Sequence, residues 1–354
     1  MQKSSEGNYF EDFRPGMEIS HAVPRTVTTG DVALYSALYG MRFPVQSSDA
    51  FSQDCGLRQA PLDNLLVFHV VFGKTVPDVS LNAVANLGYA DCRFLVPAWP
   101  GDSFHARSEV IGVRENSNGR TGIVYVRSTG YNQHGQAVVS FVRWVMVNKR
   151  DTASPAPHGI VPDLPAHIPG SELVIPQDLD FARYDPVLAG SLHGFEAYEI
   201  GEKINHIDGM TIEEAEHQIA TRLYQNTAKG HFDAVLQRSS RFGRRIVYGG
   251  HVMSLARSLS FNGLANAAFV AGINGGRHLN PAAAGDTVYC WSEVLDKHPV
   301  SGRSDIGAVR VRMIATKDAP CSGFPDPSSA EALLELDYWV LVPRFGDEAR
   351  GDGQ

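Results

Sequence analysis

The segment FEDFRPGMEI, residues 10–19, returns in altered form as FEAYEIGEKI at residues 195–204. Aromatic residues, a glycine and an isoleucine occupy the same positions in both segments. A second pair follows at nearly the same displacement, with WPGDSFHARSEV at residues 99–110 and AAGDTVYCWSEV at residues 283–294. Self-similarity at a fixed spacing is typical of a duplicated structural unit. The sequence therefore predicts two copies of one fold in series.

Both copies show the same order of elements. A first helical stretch is predicted at residues 29–40 and 211–226, and a longer, buried helix at residues 61–76 and 249–265. The period then changes to that of strands, at residues 103–113, 121–131 and 137–147 in the first copy and 286–295, 305–315 and 331–342 in the second. Asn118-Gly119 and His134-Gly135 are predicted hairpin turns. Antiparallel strands around one long helix form an α+β unit, the hot-dog fold, so we expect a tandem double hot-dog.

The predicted domain boundaries follow from this repeat. The first hot-dog domain is expected at residues 1–150 and the second, catalytic one at residues 191–345. Residues 151–190 are rich in proline and lack a period, which indicates a linker. Residues 346–354 are polar and contain glycine, which predicts a flexible tail.

Composition excludes several classes of protein. The chain has 354 residues, of which 43% are apolar and 20% charged, so it can form two globular cores. A formal net charge of -8 provides no broad positive field, which argues against nucleic acid as a partner. The four cysteines are scattered without a CxxC pair, which predicts reduced thiols and no zinc site. Since no signal peptide or membrane-spanning stretch is visible, we expect a cytoplasmic protein without a membrane partner.

The residues that carry chemistry are concentrated in YQNTAKGHFDAVLQRSSRFGRRIVYGGHVMSLARSLSFNG, residues 224–263. This segment resembles the hydratase motif of the MaoC-like family, in which Asp-x-Asn-Pro-x-His precedes a short basic loop and a glycine that opens a long helix. The resemblance places His231 at the family's histidine and Asn226, as a departure, at its aspartate. Two residues five apart on one helix point about 140° apart. We therefore expect the helix to break between them, at Gly230.

The resemblance implies that water is added to, or removed from, a coenzyme A thioester. Such a reaction needs a base for water, a proton donor for the α-carbon and dipoles for the enolate oxygen. His231 is the candidate base, because imidazole titrates near neutral pH. Asn226 cannot ionise and is predicted to hold the water or polarise the thioester. Gly249 and Gly250 open the long helix, and their unpaired N–H groups are the predicted oxyanion hole, although an ordinary turn is the alternative.

Other residues of the segment are candidates for binding the substrate or its coenzyme. They are Arg238, Arg241, Arg244 and Arg245, together with His251, Tyr224 and Gln225. The arginines could bind phosphates or a substrate carboxylate, or form a solvated face. His251 could equally be an ordinary residue of the first helical turn. Asp233 could orient His231 or cap a loop.

The first copy has lost the motif. In GMRFPVQSSDAF, residues 40–51, it has Met41, Phe43 and Gln46 where the family has Asp, Asn and His. Without a general base this copy is expected to shape the acyl pocket. Its other polar candidates, Asp31, Asp63 and His69, are predicted to be structural.

Within the MaoC-like family, the chain is similar over nearly its full length to the mesaconyl-CoA hydratases. The similarity is carried by stretches such as GNYFEDFRPGMEISHAVPRTVT at residues 7–28, ALYGMRFPVQSSDAF at residues 37–51 and RLYQNTAKGHF at residues 222–232. It implies reversible hydration of mesaconyl-C1-CoA, a short branched enoyl-CoA with a free carboxylate, to β-methylmalyl-CoA. It implies no redox cofactor and no metal, and coenzyme A enters as part of the acyl-CoA substrate. A homodimer is expected, because hot-dog units usually pair.

Three alternatives remain open at this point. The chain could be another (R)-specific enoyl-CoA hydratase with a different acyl group. It could be a hot-dog acyl-CoA thioesterase, but such an enzyme typically has a carboxylate on the long helix, and HVMSLARSLSFNG at residues 251–263 contains no Asp or Glu. It could also be a non-catalytic acyl-CoA-binding module, which would have no need of the histidine base.

Overall fold

The computed structural model describes residues 3–320 and 322–345; Cys321 and the predicted tail at residues 346–354 lie outside the described residues. The strands of the first copy are β1 (Glu18–Thr26), β2 (Ala83–Phe94), β3 (Ser103–Glu115), β4 (Thr121–Tyr131) and β5 (Ala137–Asn148). Its helices are α1 (Thr29–Tyr39), α2 (Pro44–Ser47), α3 (Asp49–Asp54) and α4 (Asn64–Thr75), and α4 continues into a π-helical turn, Val76–Ser80.

The second copy repeats this order after a short helix, α5 (Pro186–Ala189). Its strands are β6 (Lys203–Asn205), β7 (Met210–Thr211), β8 (Phe269–His278), β9 (Thr287–Pro299), β10 (Ile306–Lys317) and β11 (Ala332–Pro343). Its helices are α6 (Glu214–Leu223), α7 (Ala234–Gln237), α8 (Gly249–Leu259) and α9 (Phe261–Leu264).

Across residues 3–320 and 322–345 the strands form one antiparallel sheet of eleven strands. The order is β1-β3-β4-β5-β2 in the first copy and β6-β9-β10-β11-β8 in the second, with β7 also paired to β9. The two copies therefore have the same strand order. They meet where β2 pairs with β8, with Tyr89 opposite Gly276 and Arg93 opposite Gly272. The predicted double hot-dog architecture is confirmed.

The long helices α4 and α8 are the buried elements that the sequence predicts. Residues 65–75 of α4 and residues 250–259 of α8 are all buried. On α4, the ring of Phe68 packs edge-on against Phe141 of β5 at a centroid distance of 4.8 Å. A helix that is buried on all sides is expected where a sheet curves around it. None of the helices in the part of the chain that the structure describes is long and apolar enough to cross a lipid bilayer.

The predicted hairpins of the first copy are confirmed, but the long strands β2 and β8 were not predicted. Gly119 and Gly135 have φ angles of 63° and 75° in the turns that join β3 to β4 and β4 to β5. The unpredicted strands, β2 and β8, have the sequences AVANLGYADCRF and FVAGINGGRH, which do not alternate. A Cβ atom on Gly88 of β2 would lie 2.3 Å from the Trp144 ring. Glycine stands where close packing leaves no room for a side chain. These strands therefore lack the alternation of apolar and polar side chains from which a strand is predicted.

The segment predicted as a linker, residues 151–190, is fixed to both copies. The backbone N–H of Ile168 donates to Asn274 Oδ1 at 2.8 Å, and its carbonyl accepts from Trp339 Nε1 at 2.9 Å. The N–H of Ile160 donates to the carbonyl of Val113 in β3 at 2.9 Å. The segment is therefore part of the packed structure, although its composition resembles that of a tether. The boundaries at residues 150 and 190 stay predictions.

Candidate active site

A cleft of about 550 Å³ lies between the two copies. The first copy contributes β1 and the end of α4, and the second contributes α6 with the loop that follows it. Gln225, Asn226 and Phe232 are among the lining residues of this loop. Elements of both copies thus form the walls. Of the predicted site residues in the described ranges 3–320 and 322–345, Asn226 and Gln225 are among the lining residues, whereas His231, Gly249 and Gly250 are not.

The turn after α6 positions Asn226. The helix ends at Leu223, and Gln225 adopts a left-handed conformation with φ 51°. The side-chain Oδ1 of Asn226 then accepts a hydrogen bond from the N–H of Ala228 at 3.0 Å. The prediction that Gly230 breaks the helix was wrong: the break precedes Asn226, and Gly230 is not among the residues with positive φ. Since Oδ1 is engaged by the backbone, the Nδ2 group of Asn226 remains the donor for a ligand.

His231 is held by backbone contacts on both sides. It ends a 3-10 turn, Lys229–His231, and its carbonyl accepts from Gln218 Nε2 at 2.6 Å. Its Nδ1 donates to the carbonyl of Ile246 at 3.0 Å, because a carbonyl oxygen can only accept. Nδ1 therefore carries the hydrogen and Nε2 keeps its lone pair. Burial lowers the pKa of His231 to about 4, so the neutral base form dominates at pH 7.

The N-terminus of α8 is open, whereas that of α4 is already capped. Helix α8 starts at Gly249 with no side-chain cap from Tyr248. In the first copy the Asp63 carboxylate accepts from the N–H of Leu65 at 2.7 Å. The N–H groups of Gly249 and Gly250 have no partner within their own helix, as is usual for a first turn. Of the two long helices, α8 therefore lacks the side-chain cap that α4 has, and the N–H groups of its first turn are the candidate donors for an oxyanion.

Two histidine rings make glycine necessary at this helix start. A Cβ on Gly249 would lie 2.3 Å from His278 Cε1, and a Cβ on Gly250 would lie 2.5 Å from His69 Cε1. His278, at the end of β8, is hydrogen-bonded through Nε2 to the Tyr89 hydroxyl of the first copy at 2.9 Å. Burial lowers the pKa of His278 to about 4 and that of His69 to about 3, so both rings are neutral at pH 7.

Neither His69 nor His278 was predicted to lie at the site. His69 was predicted to be structural, and it is hydrogen-bonded to Ser254 Oγ at 3.1 Å. It nevertheless lies against Gly250 of the other copy. His278 ends a strand that the sequence pattern does not reveal, so no signal pointed to it. Lys74, which lines the cleft, did have a signal, since it is the one lysine in the apolar helix NLLVFHVVFGKT.

Tyr224 and His251 lie behind the cleft, which corrects their predicted role in substrate binding. Both are fully buried. The hydroxyl of Tyr39, from α1, lies 2.7 Å from the Tyr224 hydroxyl and 3.0 Å from His251 Nδ1. Burial lowers the pKa of His251 to about 3. Tyr224 and His251 therefore belong to a buried polar network between the copies. Of the predicted binding residues Tyr224, Gln225 and His251, it is Gln225 that lines the cleft.

The predicted arginine cluster is also outside the cleft wall. Arg238, Arg241 and Arg244 are exposed. Arg245 forms an ion pair with Glu214 of α6. None of the four is among the cleft-lining residues in the described ranges 3–320 and 322–345. Their contact with coenzyme A stays a prediction.

Asp233 caps a helix and does not orient His231. Its Oδ1 accepts from the N–H of Leu236 at 2.9 Å, at the start of α7. Of the two roles considered for this residue, the structure shows the cap. The orienting partner of His231 is the carbonyl of Ile246.

In the first copy the position of the lost motif is filled by side chains. The guanidinium carbon of Arg257 lies 3.5 Å from the centroid of the Phe43 ring, and both side chains are buried. Gln46 donates through Nε2 to the carbonyl of Ala268 at 2.7 Å. Asp31 pairs with Arg25 and caps α1, as a structural residue would. Side-chain contacts therefore occupy this position in the first copy.

Two curved half-sheets around helices, with a histidine before a glycine-opened helix, define a double hot-dog protein of the MaoC-like class. A solved structure of a MaoC domain dehydratase from Chloroflexus aurantiacus superposes with a TM-score of 0.95 at 57% identity, covering 98% of this chain and 100% of that one. A Mycobacterium tuberculosis protein with a double hot-dog fold matches with a TM-score of 0.76 at 25% identity, over 95% of this chain and 99% of that one.

Sequence comparison places the chain more narrowly. A family model described as mesaconyl-CoA hydratase matches residues 1–323. The chain is 58% identical over 352 residues to a β-methylmalyl-CoA dehydratase from Chloroflexus aurantiacus, covering 97% of this chain and 99% of that protein. It is 56% identical over 346 residues to a mesaconyl-CoA hydratase from Cereibacter sphaeroides, covering 97% of this chain and 100% of that protein. The chain belongs to the mesaconyl-CoA hydratase family.

Proposed function

We infer that this chain is a hydro-lyase that catalyses the reversible hydration of mesaconyl-C1-CoA to β-methylmalyl-CoA. Its two relatives at 58% and 56% identity are named for the two directions of that reaction, dehydratase and hydratase. Both are covered over nearly their full length, so the inference does not rest on a shared domain alone.

The observation that carries the mechanism is the state of His231. Its Nδ1 is bonded to a carbonyl, and burial keeps the ring neutral, so Nε2 is available as a base. A substrate carboxylate brought near the ring favours its charged form and raises its pKa towards neutral. His231 can then accept a proton and return it within one turnover.

The proposed hydration conserves every atom of substrate and water. Nε2 of His231 takes a proton from a water molecule held by Asn226 Nδ2, and the water oxygen bonds to the β-carbon. The electrons of the double bond move towards the thioester, whose oxygen accepts hydrogen bonds from the N–H groups of Gly249 and Gly250. The imidazolium of His231 then gives its proton to the α-carbon. Addition of water leaves the oxidation balance unchanged, so the proposed step needs no redox cofactor.

The exposed arginines are assigned to the coenzyme. We propose that Arg238, Arg241 and Arg244 contact the phosphates of coenzyme A, because they lie on the loop between His231 and the start of α8 and are exposed. Guanidinium groups bind phosphate oxygens in pairs. Their position outside the cleft wall suits the distal end of a long ligand.

The function is tested by following the absorbance of the enoyl thioester at neutral pH with purified protein, mesaconyl-C1-CoA, crotonyl-CoA and other acyl-CoAs. With mesaconyl-C1-CoA we expect the enoyl absorbance to decrease and no free coenzyme A thiol to be released. In the His231→Gln variant kcat should fall by about 10²–10⁴, the usual contribution of a general base. The remote His105→Gln variant should behave as wild type.

Each alternative has its own outcome in this assay. Release of free thiol would identify a thioesterase, and a higher kcat/KM with crotonyl-CoA would identify another enoyl-CoA hydratase. Tight binding of acyl-CoA without turnover would identify a binding module. Unchanged turnover in His231→Gln would contradict the mechanism but not the reaction.

Two further properties are part of the proposal. We place the enzyme in the cytoplasm, which agrees with the buried, reduced thiols of Cys55 and Cys92. We also propose a homodimer of the tandem chain, because hot-dog units commonly pair beyond a single internal pair. Light scattering on the purified protein should give twice the mass of the 354-residue chain.

A further inference from the structure

Lys74 is a buried cation on the wall of the cleft. It lies near the end of α4 in the first copy, and 3% of its surface is exposed. Its ammonium group donates to the carbonyl of Val23, another cleft residue, at 2.5 Å. Two of its three N–H donors remain for other partners. Burying an ammonium group whose N–H donors lack partners costs free energy unless a ligand accepts hydrogen bonds from it.

No acidic side chain neutralises this part of the cleft. Among the ion pairs in residues 3–320 and 322–345, none includes Lys74 or its neighbour across the cleft, Arg222. Burial, together with the charge of Arg25, lowers the pKa of Lys74 to about 8. A bound anion would stabilise the charged form of Lys74 and raise its pKa.

Lys74 is also close to the proposed reaction centre. Its chain neighbour Gly73 packs against the turn that positions Asn226: a Cβ on Gly73 would lie 1.8 Å from the Tyr224 carbonyl oxygen and 3.4 Å from the Asn226 nitrogen. The end of α4 and the Asn226 turn are therefore in direct backbone contact. The ammonium group of the first copy and the amide of the second line one cleft.

The chemistry of the substrate supplies a matching anion. In mesaconyl-C1-CoA the β-carbon, which receives the hydroxyl group, carries the free carboxylate, and the α-carbon carries the methyl group. If Asn226 holds the attacking water, the carboxylate lies one bond from the atom attacked. The phosphates of coenzyme A lie at the far end of the pantetheine arm from this carbon.

We propose that Lys74, with Arg222 at the rim of the cleft, forms a subsite for the carboxylate on the β-carbon of the substrate. This inference rests on the proposed function, since it assigns that function's substrate to residues of the first copy. It also gives the half without a catalytic motif a specific task, which is to select acyl groups with a negative charge at this carbon.

The subsite is tested with two ligands that cannot be hydrated. Succinyl-CoA has a carboxylate on its β-carbon, and butyryl-CoA has a methyl group there. Isothermal titration should show that the wild-type protein binds succinyl-CoA more tightly than butyryl-CoA. Lys74→Met should weaken the binding of succinyl-CoA by about ten- to a hundred-fold, the usual range for a charged hydrogen bond. The affinity for butyryl-CoA should change by less than about threefold.

Matched variants separate charge from folding. Lys74→Arg retains the charge and should retain most of the preference for succinyl-CoA. Lys203→Met removes one exposed lysine on β6, away from the cleft, and should leave both affinities unchanged. If Lys74→Met unfolds, Arg222→Met decides: a reduced preference for succinyl-CoA over butyryl-CoA supports the subsite, and an unchanged ratio of the two affinities overturns it.

The two proposals fail in different ways. If Lys74→Met lowers the affinities for succinyl-CoA and butyryl-CoA equally, or changes neither, the carboxylate subsite is overturned. This holds even if the wild-type protein hydrates mesaconyl-C1-CoA. If wild type binds succinyl-CoA through Lys74 but does not hydrate mesaconyl-C1-CoA, the subsite stands and the proposed function fails.

Discussion

Asn226 occupies the place where the resemblance to the MaoC-like family led us to expect an aspartate, and the charge of the ligand offers a reason. Its Oδ1 accepts from the N–H of Ala228, a bond that a carboxylate could also make, so the turn does not require an amide. The cleft that it lines also contains Lys74, the proposed partner of the substrate carboxylate. A carboxylate at position 226 would stand near that anion and repel it. A neutral amide avoids the repulsion and still donates through Nδ2.

This argument predicts the behaviour of Asn226→Asp. We expect the variant to bind succinyl-CoA about tenfold more weakly than wild type at pH 7.5, while its affinity for butyryl-CoA changes little. Asn226→Ser, which removes the amide without adding charge, should keep the wild-type ratio of the two affinities. Titration calorimetry measures both. A retained ratio in Asn226→Asp would show that the carboxylate does not lie near position 226.

The contact between α4 and the turn after α6 joins the two halves of the site. Helix α4 has a glycine at position 73 in its last turn, where its backbone touches the carbonyl of Tyr224. A larger residue would force the helix and the turn apart. Because the turn positions Asn226 and α4 presents Lys74, both groups depend on this one close approach.

Gly73→Ala should therefore lower the free energy of unfolding by about 1–3 kcal/mol, the usual cost of overpacking a core, and should also reduce kcat. Urea unfolding and the hydration assay measure the two effects. Gly30→Ala is a matched control, since position 30 lies in the first turn of α1 with only Thr28 Oγ1 nearby, at 3.5 Å. That variant should be neutral or slightly stabilised. Wild-type stability in Gly73→Ala would mean that the helix and the turn are not in firm contact.

Across the whole molecule, several histidines are buried in the neutral form. Desolvation lowers the pKa from 6.5 to about 4 for His206, His231 and His278, and to about 3 for His69 and His251. Most of them lie where the two copies meet. In the unfolded chain each would titrate near 6.5, so below that pH the unfolded state binds more protons than the folded state.

We therefore expect the contribution of these histidines to the free energy of unfolding to be constant above pH 7 and to fall as the pH decreases from 6.5 towards 4. Each histidine contributes up to about 1.4 kcal/mol per pH unit in this window. Urea unfolding at pH 7.5, 6.5 and 5.5 measures the slope. His251→Gln should reduce the slope, whereas His193→Gln, at an exposed position, should not. Stability independent of pH between 6.5 and 5 would contradict the buried, neutral assignment.

Patterns in the sequence predicted the duplication, the long helices, the hairpin strands and the motif from Asn226 to Gly250. These features depend on local spacing: the period of a helix or a strand, a turn dipeptide, or the distance from a histidine to a glycine pair. The family and the reaction proposed for it followed from the same stretch. Local rules failed where glycine replaced the alternating side chains, in β2 and β8, and at the helix end, which a left-handed Gln225 rather than Gly230 determines.

The contacts between the two copies become visible in the folded chain alone. It joined β2 to β8, brought His69 and His278 to the glycines of α8, and put Lys74 beside the Asn226 turn. It also removed Tyr224 and His251 from the cleft. The physical reason is that these contacts join parts of the chain far apart in sequence. Their pairing depends on how two curved half-sheets pack, which no local pattern records.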